Sequence, residues 1–343
     1  MGKIRTVIVG MGYWGPKFAR NVYLNSAFDL VGVCDFDKNL AEQNLEKFGA
    51  SHVPVFNSFL KMLDSIESDF VVIATPARTH FTLASTAISR KKNVLLEKPF
   101  GLDLEEKMQL INMANDLNVK IFVDHTYLFT PEFFKVQEIL DSNEIGELQY
   151  YQSTRAGLGL IQEDISVVED LAIHDLAILD ALKPNLPISV SCTGSAFPPS
   201  KQISTAAIQM KYNDGLLVSI FVSWNSPVKV RDINISGSIG AITWNDSHGS
   251  DKIKIFSSRI DNEISNERMR ISYHLGEGRI PSIFGSEAIN NELNYLKNVL
   301  VSLDSLETKT GSDHILRTGK VLEALKTSIA NGGAPVEIVL NEN

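Results

Sequence analysis

Residues 4–15 of the chain read IRTVIVGMGYWG, an apolar run followed by a glycine-rich loop. The apolar run predicts a short buried strand, and Pro16, just beyond the loop, suits the first turn of a helix. A strand, a glycine loop and a helix in this order are typical of a turn that binds a dinucleotide. Gly10 permits the tight turn, Gly12 lets the backbone approach a pyrophosphate, and Gly15 lets the helix pack closely. The alternative is a strand-to-helix turn that binds nothing.

An acidic residue favours NAD as the dinucleotide. Asp35 ends the next apolar run, twenty positions after Gly15. At that distance a carboxylate accepts hydrogen bonds from the adenosine ribose and repels a 2′-phosphate, which makes NADP the less favoured cofactor. Lys38 is the nearby cation that could reverse this preference, and the alternative for it is a solvated helix start. The predicted cofactor-binding residues of this region are Gly10, Met11, Gly12, Tyr13, Trp14, Gly15 and Asp35.

The pattern of apolar runs predicts two domains. Over residues 1–124 short apolar runs alternate with amphipathic segments, which indicates an α/β domain of the Rossmann type with a doubly wound parallel sheet. Between Ile188 and His274, β-rich segments follow one another with turn residues between them. They predict an α+β domain over residues 125–343 with a large, mostly antiparallel open sheet. A sheet face without helices suits a second copy of the chain, so we expect a homodimer or homotetramer.

Composition narrows the class of partner. The 343 residues include 32 Lys and Arg and 41 Asp and Glu, and the formal charge of −9 is the wrong sign for a nucleic-acid partner. Cys34 and Cys192 lie in apolar runs, as buried reduced thiols of a cytoplasmic protein do. The amino terminus does not show the pattern of a signal peptide, and no apolar run approaches the ~18 residues that span a bilayer. We therefore expect no membrane partner.

Residues able to carry chemistry occur in two places. Glu97-Lys98-Pro99 follows the fifth apolar run, and open parallel sheets place their ligands beyond the carboxyl ends of the strands, so Lys98 is predicted to face a ligand. Asp170 and His174 are four residues apart in a segment predicted to be helical from 167 to 182, where they would share one face. Taken alone, a lysine at a strand end is more often a solvated charge. A carboxylate and an imidazole on one helix face are likewise common without a function.

Four motifs carry a resemblance that covers nearly the whole chain. They are Gly10 to Gly15, Ala74-Thr75-Pro76, Glu97-Lys98-Pro99 and Asp170 to Asp175. In this order they resemble the glucose-fructose oxidoreductase and inositol dehydrogenase family (Gfo/Idh/MocA). The resemblance implies that Lys98 and His174 are catalytic and that Asp170 orients the substrate hydroxyl or the imidazole. It also implies that the cofactor site is lined by Thr75, Pro76, His80, Glu97 and Lys98. Without the resemblance, His80 would be a surface or capping histidine.

Two segments depart from the family pattern. His125-Thr126-Tyr127 stands where many members have an arginine-containing segment, and the stretch 166–169 replaces a glycine-rich one. The loop around Tyr13 and the segment from 150 to 159 look like a branch that acts on sugars and nucleotide-linked sugars. Arg155 could there grip a carboxylate or a diphosphate, and the alternative is a solvated charge at a sheet edge. The predicted substrate-binding residues are Arg155, Tyr127 and His125.

These observations predict an NAD-dependent oxidoreductase that transfers a hydride between nicotinamide and a secondary alcohol or ketone of a sugar, polyol or nucleotide-linked sugar. His174 would exchange the hydroxyl proton and Lys98 would stabilise the developing alkoxide. One alternative is a catalytically silent NAD-binding regulator of the same fold. Another is a metal-dependent dehydrogenase or lyase that uses Asp170, His174 and Asp175. Because Asp175 is adjacent to His174 and would point elsewhere on the helix, we expect no metal site.

Overall fold

The computed structural model describes residues 2–159, 161–247, 249–257, 259–265, 268–274, 276–302 and 308–338. These residues form two compact units. The first contains Met1–Thr130 and Ser286–Gly319, and the second contains Pro131–Gly285 and Lys320–Asn343. The two units do not coincide with the predicted domains, residues 1–124 and 125–343. Residues 125–130 and 286–319 belong with the first unit.

The regular elements follow one another along the chain with short helical turns between some of them. The strands are β1 (Ile4–Val9), β2 (Phe28–Cys34), β3 (Val55–Phe56), β4 (Phe70–Ile73), β5 (Asn93–Glu97), β6 (Ile121–Asp124), β7 (Leu148–Leu158), β8 (Ser189–Ser195), β9 (Thr205–Lys211), β10 (Leu217–Ser223), β11 (Asn225–Gly237), β12 (Ala241–Asn245), β13 (Ile253–Phe256), β14 (Arg259–Ser265), β15 (Arg268–His274), β16 (Gly278–Arg279) and β17 (Val336–Glu337). The α-helices are α1 (Gly15–Leu24), α2 (Lys38–Glu46), α3 (Phe59–Ser65), α4 (His80–Ser89), α5 (Leu104–Asp116), α6 (Pro131–Asp141), α7 (Ile173–Leu182), α8 (Ala288–Val301) and α9 (Ser312–Ala330). Single turns of 3-10 helix occupy Ala77–Thr79 and Thr126–Phe129, and a π-helical turn occupies Val168–Ala172.

The first unit is built on a parallel sheet in the strand order β3-β2-β1-β4-β5-β6. Alternate residues of its strands point to opposite faces, and both faces are buried. On one face, Val7 and Val71 pack with apolar residues of α3, α4 and α5. On the other face, Ile8 and Val72 pack with apolar residues of α1, α2 and α8. The predicted doubly wound Rossmann sheet is confirmed, and one of its covering helices comes from the carboxyl-terminal part of the chain.

The second unit is built on a larger sheet in the order β16-β13-β12-β11-β7-β10-β9-β8-β17. Adjacent strands of this sheet run antiparallel, except for β7 and β10, which run parallel. The prediction of a mostly antiparallel sheet is therefore confirmed. Strand β7 is internal to this sheet, between β10 and β11. Strands β14 and β15 pair with each other as a separate hairpin.

The segment predicted to be one helix from 167 to 182 is divided. It begins with the π-helical turn Val168–Ala172 and continues as α7. A π-helical turn closes hydrogen bonds from i to i+5 and occurs frequently at functional sites. Within the described ranges, no helix combines the length and the apolar character that crossing a membrane requires.

Candidate active site

The loop between β1 and α1 contains three glycines. The fold leaves no room for a side chain at two of them and leaves room at the third. Gly10 has a φ of +90°, and a Cβ there would lie 2.5 Å from the carbonyl oxygen of Ala74. A Cβ at Gly15 would lie 1.8 Å from the carbonyl oxygen of Gly10. A Cβ at Gly12 would meet no described atom within 4 Å. The space beside Gly12 is therefore open to a ligand, as the approach of a pyrophosphate to the backbone requires.

The helix that follows the loop presents positive charge to the same region. Helix α1 begins without a hydrogen bond from a capping side chain. Pro16 has no N–H and the N–H of Lys17 donates to the carbonyl oxygen of Trp14 at 2.9 Å, so the N–H of Gly15 is the first-turn group that an anion can use. The Lys17 ammonium lies over the rings of Tyr13 and Trp14, 4.0 and 3.9 Å from their centroids. Tyr13 is largely exposed. The aromatic residues of the loop thus hold a cation within the first turn of the helix.

Asp35 ties the end of β2 to the glycine loop. Its Oδ2 accepts a hydrogen bond from the backbone N–H of Met11 at 2.6 Å, and its Oδ1 accepts one from the N–H of Asp37 at 2.9 Å. Each carboxylate oxygen can accept a second bond, so Asp35 retains capacity for ribose hydroxyls. The side chain of Met11 is fully buried in the core. Met11, one of the predicted cofactor residues, can therefore contact a cofactor through its backbone and not through its side chain.

His80 is a buried link between the turns that follow β4 and β5. Its Nδ1 lies 2.9 Å from the carbonyl oxygen of Pro99, and its Nε2 lies 2.8 Å from the carbonyl oxygen of Thr75. Thr75 also shares a hydrogen bond of 2.7 Å between its hydroxyl and that of Thr79. Through His80, the turn at Thr75 is thereby linked to the carbonyl of Pro99, the residue after Lys98. The alternative of a surface histidine is wrong for His80, which is 1% exposed.

Lys98 directly follows β5, at the carboxyl edge of the parallel sheet, beside buried acids. Glu97 ends β5 and lies opposite Asp124, the last residue of β6. Both are buried, and the Lys98 ammonium is close enough to Asp124 to lower the pKa of its carboxyl. Burial has the larger and opposite effect, so that the pKa of Asp124 is raised overall. Lys98 therefore stands next to a carboxyl group that burial makes reluctant to ionise.

The predicted substrate residues of the segment after β6 differ in exposure. His125 is 2% exposed, and its ring meets the ring of His314 edge to face with centroids 5.0 Å apart. Burial, His314 and Lys98 all lower the pKa of His125 well below its usual value. Tyr127 is half-buried in the short helix Thr126–Phe129. A role of His125 in substrate binding stays a prediction. The ring is buried and uncharged, which does not support that role.

Asp170 and His174 do not share one regular α-helix. Asp170 lies in the π-helical turn and His174 in the first turn of α7, so the i, i+4 rule of the α-helix does not describe their relation. Both side chains are half-buried. Oδ2 of Asp170 accepts a hydrogen bond of 2.9 Å from the indole Nε1 of Trp224, just beyond β10. The sheet therefore orients the Asp170 carboxylate.

Asp175 anchors α7 to the sheet through three side chains of β7. Oδ1 accepts hydrogen bonds from the hydroxyls of Tyr151 at 2.9 Å and Ser153 at 2.7 Å, and Oδ2 accepts one from Nε of Arg155 at 2.7 Å. Alternate residues of a strand share a face, which is why 151, 153 and 155 reach one carboxylate. Burial and Asp175 raise the pKa of Tyr151 well above its usual value, so its phenol remains a donor.

Arg155 is buried in the sheet of the second unit. The alternative of a solvated edge charge is wrong, because β7 is internal and Arg155 is 4% exposed. Its ion pair with Asp175 is inside the unit. Substrate binding by Arg155 stays a prediction, with its Nε already committed to Asp175.

Sequence reasoning missed Asp124 and Glu292 as groups near Lys98, and it considered Asp175 as a metal ligand and not as the partner of β7. Glu292 is fully buried in α8, in the apolar stripe that includes Ile289 and Leu293. A charged residue inside such a stripe was the available signal, because buried acids are rare unless they are paired. Among the described residues, no group of three or more His, Cys, Asp or Glu side chains is arranged to hold a metal ion.

Comparison with known proteins places this geometry in a family. Residues 4–125 match the model of an oxidoreductase family with an NAD-binding Rossmann fold, and residues 133–243 match the GFO/IDH/MocA C-terminal domain. The UDP-N-acetylglucosamine 3-dehydrogenase of Acidithiobacillus ferrooxidans is 30% identical over 283 residues, which are 82% of this chain and 80% of that protein. The scyllo-inositol 2-dehydrogenase (NAD(+)) of Bacillus subtilis is 26% identical over 316 residues, 84% of this chain and 91% of that protein.

Solved structures share the fold. The Acidithiobacillus ferrooxidans UDP-N-acetylglucosamine 3-dehydrogenase GnnA superposes with a TM-score of 0.78 at 22% identity, covering 97% of this chain and 99% of that one. An inositol dehydrogenase homolog from Azotobacter vinelandii, complexed with NADH and myo-inositol, gives a TM-score of 0.77 at 19% identity and covers 98% of both chains. The chain belongs to the Gfo/Idh/MocA family of oxidoreductases with an NAD-binding Rossmann fold.

Proposed function

We propose that this oxidoreductase is an NAD-dependent dehydrogenase that interconverts a secondary alcohol and a ketone on a sugar, polyol or nucleotide-linked sugar. The observation that carries the proposal is the position of Lys98. It follows β5 at the edge of the parallel sheet where the glycine loop also begins, and it stands beside the buried Asp124 carboxyl. A cation in that position suits an oxygen that gains negative charge during the reaction.

The residues of the first unit fit an NAD molecule. Gly12 leaves open space, α1 begins without a capping side chain at the N–H of Gly15, and Asp35 keeps acceptor capacity for ribose hydroxyls. The carboxylate of Asp35 repels a 2′-phosphate, which supports NAD over NADP. When bound, the nicotinamide accepts or returns the hydride.

The protein supplies the proton chemistry and the charge. The His174 imidazole takes the proton from the substrate hydroxyl in the oxidative direction, because histidine titrates near neutral pH and works in both directions. The Lys98 ammonium donates a charge-assisted hydrogen bond to the same oxygen as it becomes negative. Asp170, oriented by Trp224, holds the hydroxyl or the imidazole in place. Removal of either His174 or Lys98 is expected to lower the rate by about 10² to 10⁴.

The substrate class rests on the relatives. UDP-N-acetylglucosamine 3-dehydrogenase and scyllo-inositol 2-dehydrogenase carry in their names a nucleotide-linked sugar and a polyol. Both names describe oxidation of a ring hydroxyl. We propose a ring hydroxyl of one of these classes as the substrate, with Tyr127, Arg155 and His125 as the candidate residues around it.

One experiment tests the function. The nucleotide released from the denatured protein is identified first, and NADH absorbance is then followed with a panel of free and nucleotide-linked sugars. Lys98→Ala and His174→Ala should each lower turnover by about 10² to 10⁴ and leave NAD binding intact, whereas the exposed-surface controls Lys61→Ala and His52→Ala should match the wild type. Full activity in both test variants would contradict the assignment. NAD binding without turnover on any sugar would favour a regulator.

We also propose that the second unit pairs with another copy of the chain through its sheet. Leu217 lies beside Tyr150 in the parallel register of β10 and β7, and Phe221, four residues on, shares their face. These side chains are 51%, 43% and 41% exposed, respectively. Three large apolar groups on one sheet face suit a self-complementary contact. Light scattering should give a multiple of 37.9 kDa, and Phe221→Lys should lower it toward one chain.

A cytoplasmic location is part of the proposal. Cys34 and Cys192 are both free and buried. Burial raises the pKa of Cys34 to about 11 and that of Cys192 to about 12, so neither thiol ionises readily. Unreactive free thiols suit a reducing compartment.

A further inference from the structure

Two carboxyl groups meet in the interior of the first unit, behind Lys98. Asp124 ends β6 and is 2% exposed, and Glu292 in α8 is fully buried. Helix α8 packs against the short helix Thr126–Phe129 that follows β6, and Asn291 donates a hydrogen bond of 2.9 Å to the carbonyl oxygen of Phe129. This packing brings the Asp124 and Glu292 carboxyls within hydrogen-bonding reach of each other. We refer to Asp124 and Glu292 as the carboxyl pair.

The donors around the carboxyl pair are unevenly distributed. Oδ1 of Asp124 accepts a hydrogen bond of 2.7 Å from the hydroxyl of Thr126. Neither Oε1 nor Oε2 of Glu292 has a donor within hydrogen-bond distance among the described residues. An ionised carboxylate accepts hydrogen bonds and cannot donate one. Two ionised groups would therefore repel each other, and Glu292 would be left buried without any hydrogen bond.

One proton on Glu292 resolves this conflict. As a carboxylic acid, Glu292 donates a hydrogen bond to Asp124, which already has a donor in Thr126 and is the better acceptor. Burial, Asp124 and Glu97 raise the pKa of Glu292 well above its usual value, in agreement with this assignment.

The other charged groups around the pair balance the remaining negative charge. Burial raises the pKa of Asp124, and Thr126, Glu292 and Lys98 oppose that rise, whereas burial, Asp124 and Glu97 all raise the pKa of Glu292. His125 is uncharged at neutral pH, because burial, His314 and Lys98 lower its pKa. Among the described residues, Lys98 is the cation whose charge favours the ionised form of Asp124.

We propose that Glu292 is a carboxylic acid at neutral pH, that it donates its proton in a hydrogen bond to Asp124, and that the Asp124 carboxylate kept ionised in this way holds the Lys98 ammonium in position. Asp124 and Glu292 are then positioning residues. The part of the inference that concerns Lys98 rests on the proposed function, whereas the location of the proton does not.

Infrared spectroscopy of the full chain tests the location of the proton. A carboxylic acid has a C=O stretching band distinct from that of a carboxylate. The wild type at about pH 7, where an ordinary glutamate is ionised, should show this band. Glu292→Gln should remove it, and Glu105→Gln, at an exposed glutamate of α5, should keep it. If the spectra of the wild type and of Glu292→Gln do not differ in this band, the proposal is overturned.

Kinetics test the positioning of Lys98. Glu292→Leu removes the donor, so Asp124 takes up the proton and loses its charge, and Asp124→Asn removes that charge directly. Each should lower kcat by roughly 10-fold to 100-fold and shift the alkaline limb of the pH-rate profile to lower pH. In Glu292→Gln the amide N–H donates to Asp124 in place of the acid, so kcat should stay within about threefold of the wild type with the same profile. If Glu292→Gln is impaired as much as Glu292→Leu, the positioning role is wrong.

The two proposals fail in different ways. If Lys98→Ala keeps full turnover, the assignment of Lys98 in the proposed function fails, while the infrared comparison still decides where the proton lies. If Lys98→Ala is inactive and Asp124→Asn behaves as the wild type, the proposed function stands and the carboxyl pair does not position Lys98. The infrared measurement requires no substrate, so an unidentified sugar does not prevent it.

Discussion

Asp175 and Arg155 form an ion pair in the interior of the second unit, with 2.7 Å between Nε of the guanidinium and Oδ2 of the carboxylate. The carboxylate belongs to the residue that follows His174. Because Tyr151 and Ser153 donate to the same carboxylate, the position of His174 depends on a network that extends across β7.

Replacement of one member of this ion pair should be strongly destabilising. Asp175→Leu removes the carboxylate that forms an ion pair with the buried Arg155 guanidinium, and we expect a loss of about 3–5 kcal/mol in the free energy of unfolding. The double variant Asp175→Leu, Arg155→Met removes both charges and should be more stable than Asp175→Leu alone. Urea unfolding of Asp175→Leu, Arg155→Met and the double variant measures this. If the losses of the two single variants simply add in the double variant, the two side chains do not interact energetically.

Alanine substitutions at two glycines of the loop should have different effects, one on stability and the other on NAD binding. In Gly15→Ala the new methyl group would lie 1.8 Å from the carbonyl oxygen of Gly10, so the loop must move and the melting temperature should fall. In Gly12→Ala the methyl group enters open space, so the melting temperature should stay near that of the wild type. It should nevertheless raise the KM for NAD by about tenfold or more, equivalent to about 1.4 kcal/mol of lost binding. Equal NAD affinity in Gly12→Ala and the wild type would contradict the role of this space.

Cofactor preference should depend on the charge of Asp35. Asp35→Asn keeps the size of the side chain and removes the repulsion of a 2′-phosphate. We expect the ratio of kcat/KM for NAD over NADP to fall by about tenfold or more. Asp37→Asn is the matched control, since Asp37 caps α2 by accepting from the N–H of Leu40 and asparagine caps helices equally well. A similar change of preference in both variants would show that Asp35 has no special role.

The carboxyl pair should also affect how stability depends on pH. The pKa of Glu292 is raised in the folded protein, so its contribution to stability is full below the ordinary value of 4.5 and is lost as the pH rises toward the folded pKa. Glu292→Gln removes this dependence. The free energy of unfolding of Glu292→Gln relative to the wild type should therefore increase between about pH 5 and about pH 8, by up to about 1.4 kcal/mol per pH unit. Urea unfolding across this range measures the difference, and parallel pH curves for the two proteins would contradict the prediction.

Local features of the sequence were sufficient for the Rossmann sheet. The apolar runs of β1, β2, β4, β5 and β6 are short and bounded by turns, so their length and the residues around them identify them as strands. The roles of Gly10 and Gly15 could likewise be predicted, because the geometry of the turn involves only the loop and its two neighbouring strands.

The parts that sequence reasoning missed depend on contacts between distant segments. The apolar stripe of α8 indicates a packed helix but does not say which sheet it covers, so its place in the first unit could not be predicted. The π-helical turn at Asp170 differs from an α-helix by one residue in its hydrogen bonding, which no residue spacing shows. The carboxyl pair requires both the register of β5 with β6 and the packing of α8.

The place of α8 limits how this protein can be divided or recombined. A gene fragment that ends before Ser286 would lack Ile289, Leu293 and Leu296, which belong to the same buried apolar cluster as Phe18 and Phe70. Such a fragment would expose large aromatic surfaces to water and would tend to aggregate. A hybrid that exchanges nucleotide-binding halves between two relatives must therefore transfer this late helix together with the first 130 residues.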